Sequence, residues 1–150
     1  MKYETVYFED VAEGQDLPPL CFELSTTRVI MGTSATRDWQ PQHHDRDYAR
    51  NQAKARDIFV NNSSYMAWLC RFITDWAGPA AFVNKLSFSM NTPVCAGDSV
   101  KITGKVGSKH VEEDKHIVQL EMIVSNQLGP ATVGSASVVL PLRSREISQG

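Results

Sequence analysis

The segment Asn61-Asn62-Ser63-Ser64-Tyr65-Met66-Ala67-Trp68-Leu69-Cys70-Arg71-Phe72-Ile73-Thr74-Asp75-Trp76 decides how the rest of the chain must fold. Tyr65, Trp68, Leu69, Phe72, Ile73 and Trp76 recur at the i, i+3, i+4, i+7 spacing of a helix face. Met66, Ala67 and Cys70 fill much of the other side, so the polar stripe shrinks to Ser64, Arg71, Thr74 and Asp75. Asn61 to Ser64 are all cap-forming residue types, and Gly78-Pro79 supplies the usual stop. The run falls short of the roughly 18 apolar residues of a membrane span. A helix this apolar is predicted to be buried on most of its circumference, with something wrapped about it.

The residues that follow supply the wrapping. Phe82 to Met90, Ser99 to Val106, His116 to Ser125 and Ala131 to Leu142 are β-branched or alternating runs. Ala96-Gly97-Asp98, Gly107-Ser108 and Leu128-Gly129-Pro130 separate them as turns. Val138-Val139-Leu140 reads as buried on both faces. Helices first and four antiparallel strands after predict an α+β fold, one long helix against a curved sheet.

Upstream, Tyr3 to Leu24 reads as an extended lead-in, with Pro18-Pro19 excluding a central strand or helix interior there. Ser25-Thr26-Thr27 offers hydroxyl caps for a short helix through Val29, Ile30 and Met31, which must stop before Pro41. Asp45 can cap another short helix, Arg46 to about Lys54.

Between these helices lies the densest titratable stretch, Thr36-Arg37-Asp38-Trp39-Gln40-Pro41-Gln42-His43-His44-Asp45-Arg46-Asp47. On one continuous helix Asp38 and His43 would stand about 140° apart. A helix ending near Asp38, a turn through Pro41 and a new helix capped by Asp45 can fold them together. A carboxylate and an imidazole converging on one water form a general acid/base pair, because histidine is the side chain whose ordinary pKa lies nearest neutrality. The spacing alone also allows Asp38 to be a helix-end residue bonded to its turn and His43 an exposed loop residue. His44 and Asp47 read as surface or capping groups, and Trp39 as a packing residue over the turn.

The totals narrow the function classes. At 150 residues, 42% hydrophobic and 21% charged, the chain has the size and composition of one globular domain over 1–150, ending in a polar tail at 144–150. A formal charge of −2 gives no net positive field for nucleic acid or an anionic membrane. Cys21, Cys70 and Cys95 show neither pairing nor metal spacing and read as buried free thiols. Met1 to Asp10 lacks an apolar signal segment, so a cytoplasmic protein is expected. His44-Asp45 superficially suggests a metal phosphohydrolase, but only His110 and His116 remain as further histidine ligands, both in the strand half; no metal site is expected. No G-x-S-x-G, P-loop or G-x-G-x-x-G occurs.

With these residues in view, Asp38-Trp39-Gln40-Pro41-Gln42-His43-His44-Asp45 followed by Tyr48-Ala49 resembles the D-x-N-P-x-H-x-D…Y-A signature of MaoC-like hot-dog hydratases. Tyr7-Phe8-Glu9-Asp10-Val11…Gly14 and Pro93-Val94…Ala96-Gly97-Asp98-Ser99-Val100 are similar to that family's opening and to its strand turn. Within the family, four blocks look like the small MaoC-like subunits of actinobacterial steroid side-chain enoyl-CoA hydratases: Ala35 to Asp38, His43 to Asp47, Asp57 to Asn61 and Thr74 to Pro79.

The resemblance implies a hot-dog fold, with the central helix wrapped by the sheet, and hydration of a 2-enoyl-CoA thioester or the reverse dehydration. It implies that Asp38 and His43 hold and activate the water. It also implies that the backbone N–H groups of Asn62 and Ser63 at the helix start bind the thioester carbonyl, with Asn61 a further substrate-binding residue. No cofactor is implied, CoA being part of the substrate. The implied assembly is a homodimer, or a heteromer with a second MaoC-like chain. Asn61-Asn62 replace the His-Gly of many members, and Gln40 replaces an asparagine; both changes bear on the shape of the acyl pocket. An (R)-specific fatty enoyl-CoA hydratase, a hot-dog thioesterase and a non-catalytic partner that shapes an acyl tunnel are the alternatives. Lys85, Lys101, Arg143 and Arg145 are candidates for the CoA phosphates only through their charge.

Overall fold

A computed structural model describes residues 4–143. Its longest helix, α3, spans Asn62–Ala77. Asn61 starts it with a side-chain oxygen that accepts from the Ser64 N–H, and Gly78 ends it at φ +81 with an N–H donated to the Thr74 carbonyl. A β-carbon on Gly78 would meet the Glu4 carbonyl oxygen at 2.3 Å, so glycine is required there by conformation and by space.

Burial of α3 is more one-sided than its sequence suggests. Tyr65, Leu69, Phe72, Ile73 and Ala77 are buried, together with Ser64 from the expected polar stripe. Met66 is 50% exposed, and Trp68, Cys70 and Trp76 are only half-buried. The reason is geometric: among the described residues a single sheet packs against one side of the helix, and α1 meets it where Gly32 packs on Ser64.

That sheet has five strands: β1 Leu20–Glu23, β2 Phe82–Met90, β3 Ser99–Glu112, β4 Lys115–Asn126 and β5 Gly129–Val139. Their order is β1-β3-β4-β5-β2, and every pairing is antiparallel. The fifth strand comes from the supposed lead-in. It begins directly after Pro18-Pro19 and pairs Leu20 to Glu23 with Ile102 to Ser99, so the prolines stay outside the ladder that they could not join.

Gly107-Ser108 is likewise not a turn but a bulge, a register shift between Val106 and Ser108 inside a longer β3. The reversal comes at Glu113 and Asp114, at φ 47 and 64, the left-handed pair that a tight hairpin requires. Gly129 and Pro130 belong to β5 rather than to the turn before it, and Val139 is only half-buried.

Across the middle of the sheet Gly104, Met122 and Gly134 stand in register. The Phe72 ring lies over Gly104, where a β-carbon would come within 2.6 Å of it, and Leu69 lies over Gly134. Two missing side chains thus form the trough in which α3 rests. Leu69 and Phe72, each at most 2% exposed, contribute about 1.5–3 kcal/mol apiece by burial.

The helices before α3 are α1, Thr26–Ala35, and α2, Arg46–Asn51. The second is shorter than predicted, and Lys54 sits beyond it at φ +56. Of the three free thiols only Cys95 is buried; Cys70 is half-buried and Cys21 exposed, on edge strand β1. No helix of the described residues is long and apolar enough to cross a membrane. The expected tail at 144–150 lies outside the described residues, as does Tyr3.

Candidate active site

The site is assembled where α1 ends and α3 begins. Ser25 caps α1 by accepting from the Arg28 N–H at 3.2 Å. The helix closes at Ala35, earlier than the expected end near Asp38. Arg37 turns left-handed at φ +55, its N–H donating to the Ser34 carbonyl, and the Asp38 N–H reaches back to the Thr33 carbonyl at 2.9 Å. These two bonds are a Schellman closure. It aims Asp38 back across the helix end.

Pro41 then opens a single 3-10 turn, Pro41–His43, with Gln40 extended before it. The turn buries His43 to 4% exposure, against the reading of an exposed loop residue. Asp45 caps α2 as expected, accepting from the Tyr48 N–H at 3.0 Å. Arg46 and Arg50 of α2 bond the Asp57 carboxylate, which also accepts from the Ile58 N–H. The segment so anchored continues along Val94 to Ala96 and presents the Phe59 carbonyl to His43.

Nδ1 of His43 lies 2.6 Å from that carbonyl oxygen, and the imidazole packs edge-on against the Phe59 ring. A carbonyl only accepts, so Nδ1 carries the hydrogen, and in the neutral form of the ring it is Nε2 that is left as the acceptor. Nε2 faces Oδ2 of Asp38 at 3.4 Å. The structure therefore brings together the two residues that the sequence paired.

Asn61 joins this pair to α3. Its Nδ2 donates to Asp38 Oδ2 at 2.9 Å and to Thr36 Oγ1 at 2.8 Å, while its Oδ1 accepts from the Ser64 N–H and hydroxyl. The Asn61 bond is the main reason that the Asp38 carboxyl lies below its ordinary range. Partial burial opposes the shift, and the Gln40 N–H and the nearby His43 add to it. Asn62 and Ser63 occupy the first turn of α3, and among the described residues no hydrogen bond takes up their N–H groups.

A cleft of about 400 Å³ opens beside this helix start. Phe22, Leu24, Ala67 and Trp68 give it apolar walls, and Arg28, Thr36, Ser63, Ser64 and Arg71 line it as well. Gly32 packs on the Ser64 hydroxyl there and leaves it room.

Other expectations fare differently. Trp39 does not cover the turn; it is 66% exposed. His44 and Asp47 are exposed, as surface groups should be. Lys85 and Lys101 lie on strands separated by two others, and Arg143 is paired with Asp10 over the Tyr7 ring. None of these cations converges on the site, and Arg145 is outside the described residues. Sequence reasoning missed Thr36 and the Phe59 carbonyl. The second of these had no side-chain signal to find.

An antiparallel sheet packed on one central helix makes this a hot-dog fold, shared with solved hydratases and dehydratases, and in this chain an aspartate and a histidine face each other at the helix entrance. The chain belongs to the MaoC-like family of these enzymes and is a hydratase/dehydratase of that type. It is 33% identical over 130 residues to the 3-oxo-4,17-pregnadiene-20-carboxyl-CoA hydratase beta subunit of Mycobacterium tuberculosis, covering 87% of this chain and 95% of that relative.

Among solved structures, the ChsH1-ChsH2 complex from Mycobacterium tuberculosis contains a chain similar at 31% identity and TM-score 0.78, covering 86% of this chain and 98% of that one. A MaoC-like dehydratase from Rhodospirillum rubrum matches at TM-score 0.80 over 93% of this chain and 99% of that one; at 20% identity this likeness is one of fold. No family model matches the sequence.

Proposed function

We propose that this chain is the catalytic subunit of an enoyl-CoA hydratase, adding water across the 2,3 double bond of a bulky, steroid-derived enoyl-CoA thioester. The facing of Asp38 Oδ2 and His43 Nε2 across 3.4 Å carries the reading. With the His43 ring neutral both atoms are acceptors, so a water that donates one O–H to each has its lone pairs turned towards a substrate. Attack of that oxygen on Cβ pushes the π electrons towards the thioester oxygen. Nε2 takes the water proton, and the Asp38 carboxylate stabilises the resulting imidazolium. The proton then leaves this pair for Cα, so that H and OH have been added and both side chains are restored.

The enolate that forms in between needs donors fixed in advance. The Asn62 and Ser63 N–H groups, at the positive end of α3, would supply them. Substrate, water and two side chains balance the reaction, so the proposal includes no resident cofactor or metal. The steroid acyl group and a second MaoC-like chain as partner are supported by the named hydratase subunit and by the two-component complex to which this chain is similar. The largely apolar lining of the cleft beside Ser63 agrees with a bulky acyl group.

The test is turnover of steroid side-chain and short fatty enoyl-CoAs by the chain co-expressed with a second hot-dog subunit, following loss of the conjugated thioester absorbance. Asp38→Asn and His43→Ala should each lower kcat by about a hundred- to ten-thousand-fold with the fold intact. Wild-type rates in both variants would refute the assignment of the pair. Release of free CoA thiol in place of the hydrated product would make the chain a thioesterase.

A further inference from the structure

We propose that Asn61 is a positioning residue for this hydration: one side of its amide holds the Asp38 carboxylate towards His43 while the other fixes the carbonyl-binding start of α3. The inference rests on the reading of Asp38 and His43 given above and extends it to a residue outside that acid/base pair. Capping alone requires only an acceptor, and serine, threonine or aspartate would serve. Asparagine adds the two N–H donors. Here both are used, one on Asp38 Oδ2 and one on Thr36 Oγ1.

The orientation of the amide is settled by its neighbours. The Ser64 N–H can only donate, so the atom facing it is Oδ1 and the atom facing the carboxylate is Nδ2. Every donor and acceptor of this side chain is satisfied, at 5% exposure. Asp38 has little else to hold it. It stands on coil just past a helix end, and its other oxygen has only a long 3.4 Å contact from the Gln40 N–H. The oxygen gripped by Asn61 is the one that faces His43. The amide therefore sets where the reactive oxygen lies and, through Ser64, where the N–H donors of α3 lie relative to it. The lowered pKa of Asp38 agrees with this arrangement.

Asn61→Asp and Asn61→Ser separate the two roles, because both keep a cap acceptor and neither keeps the Nδ2 amide that reaches Asp38. With the partner subunit present, we expect melting temperatures close to wild type, a kcat lowered about tenfold or more, and a KM within about twofold of wild type. In Asn61→Asp two carboxylates share one site, so the acid limb of the kcat/KM profile should move up by about one pH unit or more. Carbon-detected NMR titration of Asp38 should show the same rise without reference to turnover. Asn61→Ser covers the case in which the paired carboxylates unfold the site. If both variants keep wild-type kcat and acid limb while Asn61→Ala loses thermal stability, Asn61 is only a cap and the proposal is overturned. Absence of hydration by the wild type would instead refute the functional reading, and the Asp38 titration would still report on the amide.

Discussion

Arg37 holds a left-handed backbone, φ +55, at the position where a helix usually ends in glycine. A side chain there costs about 1 kcal/mol, and the return is the direction of Asp38, whose N–H closes the motif on Thr33. Arg37→Gly should therefore raise stability to denaturant by about 1 kcal/mol. A β-branched Arg37→Val should lower it, and unfolding curves of the two variants check both signs. The same scale shows what residue types disclose. Asn61 was legible as a cap because its type and place before an apolar run say so. Its bond to Asp38, 23 residues away, was not, because no local pattern encodes a contact across that separation. The Phe59 carbonyl that fixes the tautomer of His43 was hidden for a different reason, since every residue carries one.

Among the elements, α3 and the sheet are joined through the glycines beneath them. Gly104→Ala should destabilise the protein by about 1–3 kcal/mol, because its β-carbon would press on the buried Phe72 ring at 2.6 Å. Phe72→Leu in the same chain should recover part of that loss, which a double-mutant cycle in urea would measure. The existence of α3, its start at Asn61 and its stop at Gly78 could be read directly from spacing and caps. Its one-sided burial could not, since an apolar residue facing outward, such as Met66, has the same sequence signature as one facing a core. The strands show a similar division. Alternation located β2 and β4, whereas a bulge and a turn share glycine and serine, which is why Gly107 was read as the end of a strand that continues past it.

At the scale of the whole molecule, Asp98 binds together parts that lie far apart in sequence. Its buried carboxylate accepts from the Cys95 N–H, Arg56, Asn126 and Gln127, tying the loop behind Phe59 to the β4–β5 turn. Burial is the largest single influence on its pKa and pushes it up, but these hydrogen bonds together hold it below the ordinary 3.8. A carboxyl whose pKa is depressed in the folded state contributes stability above pH 3.8 that is lost as pH falls through the lower, folded-state value. Unfolding free energy should therefore decline below about pH 4. Asp98→Asn should flatten that decline while lowering stability at neutral pH by about 2–4 kcal/mol, measured by denaturant titration across pH.

The apolar central helix, its caps, the strand-forming second half and the Asp38-to-His43 spacing around Pro41 are written in the order of the residues, because these are properties of near neighbours in the chain. That β1 completes the sheet, that His43 is buried on the Phe59 carbonyl and that Asn61 joins the helix start to Asp38 emerges from the folded chain alone. Those depend on which surfaces meet when the chain closes on itself, and such meetings are set by packing between segments rather than by the pattern within any one of them.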